Sequence, residues 1–134
     1  MDGKGKYDFD FSDKLVLVVE DNQISFKLID AVLRQVKTNV VHAPDGKRAI
    51  EECASGTHFD LVLMDMQMPE IDGLEATRRI KSIRPELPVV ATTANTYDET
   101  AHACREAGCD AFLTKPLQFR ALFEMMQSFF DRQE

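Results

Sequence analysis

The sequence predicts an α/β fold in which a parallel sheet is covered by helices on both faces. Three observations carry that expectation. Short, continuous apolar runs recur along the chain, several of them β-branched, as in strands buried on both faces. Amphipathic stretches with apolar residues at helical spacing lie between them. The alternation runs βα five times, which implies parallel strands joined by crossover helices, although periodicity does not choose their order. The 134 residues fit one domain of this kind.

The elements follow in order. Residues 1–13 mix Gly, Lys, Asp and aromatics without helical period and read as a flexible lead, with the domain spanning 14–134. Tyr7, Phe9 and Phe11 alternate, so the lead has the means to pack onto the domain. Leu15 to Val19 is the first buried strand. From Gln23 to Val36, Leu28, Ile29, Val32, Leu33 and Val36 mark one face of a helix. Val40-Val41 is a short strand, Asp45 caps a helix running to about Ala54, and Ser55-Gly56 ends it. Leu61 to Met64 is the third strand. Asp72 and Glu75 form a capping box for a helix ending near Ile83. Pro85 and Pro88 bracket a connection to the strand Val89 to Thr92. Thr96 and Glu99 form a second capping box, for a helix ending at Gly108. Ala111 to Leu113 is the last strand, and Leu122, Phe123, Met126, Phe129 and Phe130 line a closing helix. Most of that stripe is core, with Phe119 and Phe130 the residues left for a partner or a dimer.

A formal charge of −7 and a pI near 4.9 argue against direct binding to nucleic acid or to an anionic membrane. No segment approaches the roughly 18 apolar residues of a membrane span, and the amino terminus lacks an apolar signal core, so a cytoplasmic location is expected. Cys53, Cys104 and Cys109 are odd in number and lack CxxC spacing, as reduced packing residues do. His42, His58 and His102 show no catalytic pattern and read as surface or packing residues.

In such a sheet, ligands bind outside the carboxyl ends of the strands. The strands lead there into Glu20-Asp21-Asn22, Asp65, Thr92-Thr93-Ala94 and Thr114-Lys115-Pro116. Crowded Glu20, Asp21 and Asp65 need a compensating cation, because like charges in a partly buried site repel. Oxygen donors alone point to a hard ion, Mg²⁺ above all, which keeps coordination sites for phosphate oxygens. Asp65 can serve as a nucleophile toward phosphorus and form an acyl phosphate, with Lys115 and the Thr93 hydroxyl neutralising the transferred group.

The segments Val18 to Asn22, Leu63 to Gly73, Val89 to Ala94 and Phe112 to Pro116 closely resemble the receiver domains of response regulators. The likeness runs from about Lys14 to the carboxyl end. The wording around Asp65 is most similar to receivers joined to, or served by, hybrid sensor kinases. The resemblance implies a flavodoxin-like, doubly wound (βα)5 sandwich with strand order 2-1-3-4-5. It implies that Asp65 accepts a phosphoryl group from a histidine kinase or a histidine phosphotransfer protein. Mg²⁺, with Mn²⁺ or Ca²⁺ as substitutes, would be held by Asp21, Asp65 and the backbone carbonyl of Gln67, with Glu20 acting through water. Lys115 would contact the phosphoryl group, Thr93 would be the switch hydroxyl and Phe112 the switch aromatic. The Lys115-Pro116 bond would be cis. Ser25 stands where many relatives carry Asn, and Thr92 where an apolar residue is usual.

Phosphorylation is then expected to draw Thr93 toward the new oxygens, let Phe112 turn inward, and reshape the helix 4, strand 5, helix 5 face for a downstream protein partner. Gln67 and Asn95 are expected to tune the lifetime of the acyl phosphate. The domain would be an autocatalytic phosphoacceptor with self-dephosphorylation rather than an enzyme acting on a separate substrate. No output domain follows, so the chain reads either as free-standing or as a fragment of a histidine kinase. Three rivals fit less well. A haloacid-dehalogenase-type phosphatase wants a second acid where Gln67 stands. A flavodoxin-type carrier has no use for Glu20-Asp21 beside a flavin phosphate. A pure interaction module has no need of Asp65, Thr93 and Lys115 together.

Overall fold

A computed structural model of the chain alternates five strands with five helices. They are β1 (Leu15–Val19), α1 (Gln23–Gln35), β2 (Asn39–Ala43), α2 (Gly46–Ala54), β3 (Leu61–Asp65), α3 (Gly73–Ile83), β4 (Val89–Thr93), α4 (Asp98–Ala107), β5 (Ala111–Thr114) and α5 (Phe119–Asp131). The structure describes residues 8–66, 73–94 and 98–133, without the side chains at 98 and 99. All strand pairs are parallel, and the sheet order is β2-β1-β3-β4-β5. This is the flavodoxin-like order that the resemblance implies.

The pleat explains the uninterrupted apolar runs. Val16, Val18, Leu61, Leu63 and Val90 face a core completed by Ile29, Val32 and Leu33 of α1 and by Leu122, Phe123 and Met126 of α5. Leu17, Val19, Val62, Met64 and Val89 face the opposite core, against Ala49 and Cys53 of α2 and Ala76 and Ile80 of α3. Each large aliphatic side chain buried in this way contributes about 1.5–3 kcal/mol, so both faces of a strand stay apolar until its carboxyl end.

Local signals set the helix ends. Asp45 caps α2 as expected, its Oδ1 accepting the Arg48 N–H at 2.7 Å. The chain leaves α2 through Gly56 at φ +93°, in the left-handed region that glycine favours. Asn22 caps α1, its Oδ1 accepting the Ser25 N–H at 3.0 Å. The two expected capping boxes involve Asp72 and Thr96, which lie outside the described residues. Glu75 accepts hydrogen bonds from Arg79 at 2.9 Å and Arg78 at 3.4 Å.

Two expectations change at the level of boundaries. Strands β2 to β5 run past the apolar residues that announce them, so Asp65, Thr93 and Thr114 are the last strand residues rather than the first ones beyond. Backbone pairing needs no apolar side chain, and the Met66 N–H still bonds the Thr92 carbonyl at 3.0 Å. Within the stretch read as a lead, residues 8–13 lie on the domain. Phe11 is 1% exposed and meets Phe130 edge-on at 5.0 Å, while Phe9 touches Phe123 at 5.6 Å. The Phe11 N–H bonds the Val36 carbonyl at 2.8 Å. The alternation of Phe9 and Phe11 therefore serves packing; Tyr7 lies outside the described residues.

Candidate functional site

The strand order creates a crevice between β1 and β3. Helix α1, which follows β1, packs on one face of the sheet, and α3, which follows β3, packs on the other. The chain therefore leaves the two carboxyl ends toward opposite faces of the sheet, the place where folds of this class form a cleft. Into it project Glu20, one residue past β1, and Asp65, the last residue of β3. Both are 2% exposed, whereas Asp21 is exposed at the rim. One carboxylate oxygen from each of Glu20, Asp21 and Asp65 lies within 4.8 Å of the other two.

Lys115 arrives from the far side, one residue beyond β5. Its Nζ lies 3.2 Å from Asp65 Oδ1 and 3.7 Å from Glu20 Oε1. Its own N–H donates to the Thr93 carbonyl at 2.8 Å, which ties the end of β4 to the turn carrying the lysine. The next peptide, Lys115-Pro116, is cis. Thr93 is 1% exposed and stands opposite Thr114 in the β4–β5 register, and Thr92 stands opposite Asp65. Phe112 pairs with Ala91 and is half-buried. The fold thus brings Glu20, Asp21, Asp65, Thr93 and Lys115 to one rim. Gln67 and Asn95 lie outside the described residues.

Three carboxylates face one lysine, so the ionised cluster carries a net charge of −2. Two like charges 4.8 Å apart repel by on the order of 3 kcal/mol at an effective dielectric constant of 20. The strain shows at Glu20, whose carboxyl is raised to about 6. Burial is the largest cause and the charge of Asp65 adds to it, while the Asn22 N–H and Lys115 pull the other way. Glu20 Oε2 accepts that N–H at 3.2 Å, and among the described residues Glu20 Oε1 is buried with no hydrogen bond, only the ion pair to Lys115 at 3.7 Å. A buried carboxylate oxygen without a hydrogen bond, all-oxygen donors and a net charge of −2 fit a hard divalent cation.

Two residues of this rim escaped sequence reasoning. His42, on β2, sends Nε2 to the Glu20 carbonyl at 2.8 Å. Only the β1–β2 register reveals this, by pairing His42 with Val18, two residues before Glu20. Gly73 opens α3 against the end of β3, where a Cβ would fall 2.6 Å from the Asp65 carbonyl oxygen. A glycine at a helix start just after a strand is the sequence signal for such a close approach. His58 and His102 are exposed, as expected, and sit near Asp60 and Glu106. Cys53 and Cys104 are buried free thiols and Cys109 is half-buried. Burial pushes Cys53 up to about 11 and Cys109 up to about 12, which leaves them as unreactive packing thiols.

Beside the cleft runs a groove of about 210 Å³ lined by Glu20, Ser25, Leu28, Ile29, Lys115 and Phe119. A larger hollow of about 610 Å³ lies at the opposite end of the strands, by Lys14, Asp60, Pro88 and Asp110, away from the acidic cluster. No helix among the described residues is long and apolar enough to cross a membrane.

Comparison with known proteins agrees with this geometry. The chain is 39% identical over 118 residues to the autoinducer 2 sensor kinase/phosphatase LuxQ of Vibrio harveyi, covering 87% of this chain and 14% of that protein. It is 31% identical over 138 residues to probable histidine kinase 4 of Oryza sativa subsp. japonica, covering 87% of this chain and 14% of the relative. The chain therefore spans only about a seventh of these curated relatives. Among solved structures, the receiver domain of a sensor histidine kinase from Pseudomonas aeruginosa PAO1 superposes with a TM-score of 0.82 at 31% identity, covering 88% of this chain and 98% of that one. That protein carries a magnesium ion coordinated in its active-site cleft. A two-component response regulator from Clostridium difficile shares the fold at a TM-score of 0.84 and 18% identity, over 90% of this chain and 98% of its own. Residues 16–127 match the response regulator receiver domain family, and the chain belongs to that family, the receiver domains of two-component phosphorelays.

Proposed function

We propose that Asp65 is the phosphoacceptor of this receiver domain and takes its phosphoryl group from a phosphohistidine on a histidine kinase or a histidine phosphotransfer protein. The supporting observation is the charge arrangement: one lysine serves two buried carboxylates, and the Glu20 oxygen it faces at 3.7 Å has no hydrogen bond among the described residues. An Asp65 carboxylate oxygen attacks phosphorus, the P–N bond to the donor imidazole breaks, and its electron pair stays on the imidazole nitrogen. Lys115 leaves its ion pair with Asp65 to meet the equatorial oxygens of the transferred group. The Thr93 hydroxyl donates to one of them. Mg²⁺, when bound, neutralises phosphoryl charge and shields the carboxylates from one another. Asp21, Asp65 and the Gln67 carbonyl would hold it, with Glu20 acting through water; Mn²⁺ and Ca²⁺ offer the same hard charge as substitutes.

The donor docks along α1. Ile24 is 81% and Leu28 58% exposed, unusual for large apolar side chains, and Leu28 lines the groove that opens onto Lys115 and Glu20. The signal leaves through the α4, β5, α5 face as Thr93 and Phe112 rearrange. Gln67 and Asn95 set the rate of self-dephosphorylation by controlling water. The domain works in the cytoplasm, free-standing or within a hybrid kinase, without contact to nucleic acid or membrane.

Mass spectrometry after treatment with acetyl phosphate and Mg²⁺ tests this reading. The wild type gains one phosphoryl group and Asp65→Asn gains none. Equal gain in both would move the acceptor to another residue. Turnover on phosphate esters would instead support a phosphatase.

A further inference from the structure

We propose that His42 and Phe26 form a clamp that positions the metal-ligand loop Glu20-Asp21-Asn22, making His42 a positioning residue for Mg²⁺; this rests on the cation site described above. The last backbone bond between the loop and the β2 strand is Glu20 N–H to the Ala43 carbonyl at 3.1 Å. The carbonyl of Glu20, just beyond it, takes the His42 Nε2 at 2.8 Å. A carbonyl only accepts, so Nε2 is the donor in this contact. The imidazole lies flat on the Phe26 ring, with centroids 3.7 Å apart and planes 9° from parallel. The Phe26 N–H in turn bonds the Asn22 carbonyl at 2.9 Å. The carbonyls of Glu20 and Asn22, the two neighbours of Asp21 in the chain, are therefore held by two residues whose rings are stacked, one on β2 and one on α1.

Such a grip matters for this cation in particular. Mg²⁺ demands near-ideal octahedral geometry at about 2.0–2.1 Å and tolerates little ligand displacement. Groups that hold the ligands, without touching the metal, typically govern 10–100-fold in affinity. The ring contact alone does not fix a carbonyl; the N–H does. The clamp therefore separates into two functions, stacking for stability and hydrogen bonding for metal geometry, and variants can take them apart.

The test is titration of the intact chain with Mg²⁺ alone at about pH 8, followed by the amide signals of Asp21 and Lys115, alongside thermal unfolding without metal. His42→Phe keeps a flat ring over Phe26 and lacks the donor. It is expected to unfold near the wild-type temperature and to bind Mg²⁺ about tenfold more weakly. His42→Gln keeps an N–H donor and loses the ring, and is expected to bind within about twofold of wild type. Wild-type affinity in His42→Phe, or a loss in His42→Gln equal to that in His42→Phe, overturns the clamp. Ring nitrogen shifts in the wild type give an independent reading, and a proton on Nδ1 instead of Nε2 overturns it without any variant. Asp21→Asn separates the two proposals: weak binding there with full affinity in His42→Phe rejects the clamp alone, whereas full affinity in Asp21→Asn rejects the cation site itself.

Discussion

Glu20 is the residue on which the electrostatics of the cleft turn. Its carboxyl is raised from 4.5 to about 6, first by burial and then by Asp65. A raised carboxyl means that the fold prefers the protonated form. Its contribution to stability is fully present below about pH 4.5 and is lost as pH climbs through about 6. Above that, the buried charge costs on the order of 2 kcal/mol in the metal-free protein. Glu20→Gln is therefore expected to stabilise the metal-free domain by about 1–2 kcal/mol at pH 8 and to leave it nearly unchanged at pH 4. Urea unfolding at the two pH values measures this, and destabilisation at pH 8 would contradict the burial argument. A second consequence concerns the ligand. Protons compete with Mg²⁺ for the cluster, so affinity should fall as pH drops through about 6, and the fall should be shallower in Glu20→Gln.

At the scale of elements, the start of α3 and the end of β3 are locked together through Gly73. A Cβ there would sit 2.6 Å from the Asp65 carbonyl oxygen and 2.8 Å from the Met66 Cα, both backbone atoms with nowhere to go. Gly73→Ala must push β3 and α3 apart, at a cost of about 1–3 kcal/mol, and, on the proposed role of Asp65, should slow acyl phosphate formation more than unfolding temperature alone accounts for. Phosphorylation at wild-type rate in a destabilised Gly73→Ala would remove the link between this contact and the acceptor. The strands were legible in sequence because burial on both faces leaves an unbroken apolar run, as in Leu61 to Met64. Their last residues were not, because Asp65 and Thr93 pair through backbone while their side chains serve the cleft. Phe11 was ambiguous for another reason: its partners Val36 and Phe130 are distant in sequence, and alternation of aromatics does not reveal them. Phe11→Ala should cost about 3–5 kcal/mol in chemical unfolding, the range for a buried phenylalanine, and a loss under 1 kcal/mol would return residues 8–13 to the status of a lead. His42 shows the same limit, since its bond to Glu20 exists only in the assembled register.

For the whole molecule, the cleft connects to the opposite edge of the sheet through two register pairs, Thr93 with Thr114 and Ala91 with Phe112. Phosphorylation adds about −1.5 to −2 charges at one end of this path. Carrying a two-state domain from 1:99 to 99:1 takes a differential of about 5.5 kcal/mol. One hydrogen bond to a charged group supplies about 1.5–3 kcal/mol, so under the proposed mechanism the Thr93 hydroxyl would deliver a share of the bias and the rearrangement of the Lys115 ion pair the remainder. Loss of about 2 kcal/mol divides the population ratio by roughly thirty. Thr93→Ala is thus expected to accept a phosphoryl group, because its main-chain carbonyl still holds the Lys115 N–H. Its phosphorylated form should remain a mixture of the two states near 3:1, estimated from about 99:1 divided by roughly thirty. Mass spectrometry counts the acceptors, and the Phe112 ring and β5 amide signals count the states in the same sample. A full wild-type shift in Thr93→Ala would mean that the sheet edge answers to the charge alone, and absence of any shift would mean that the hydroxyl carries the whole signal.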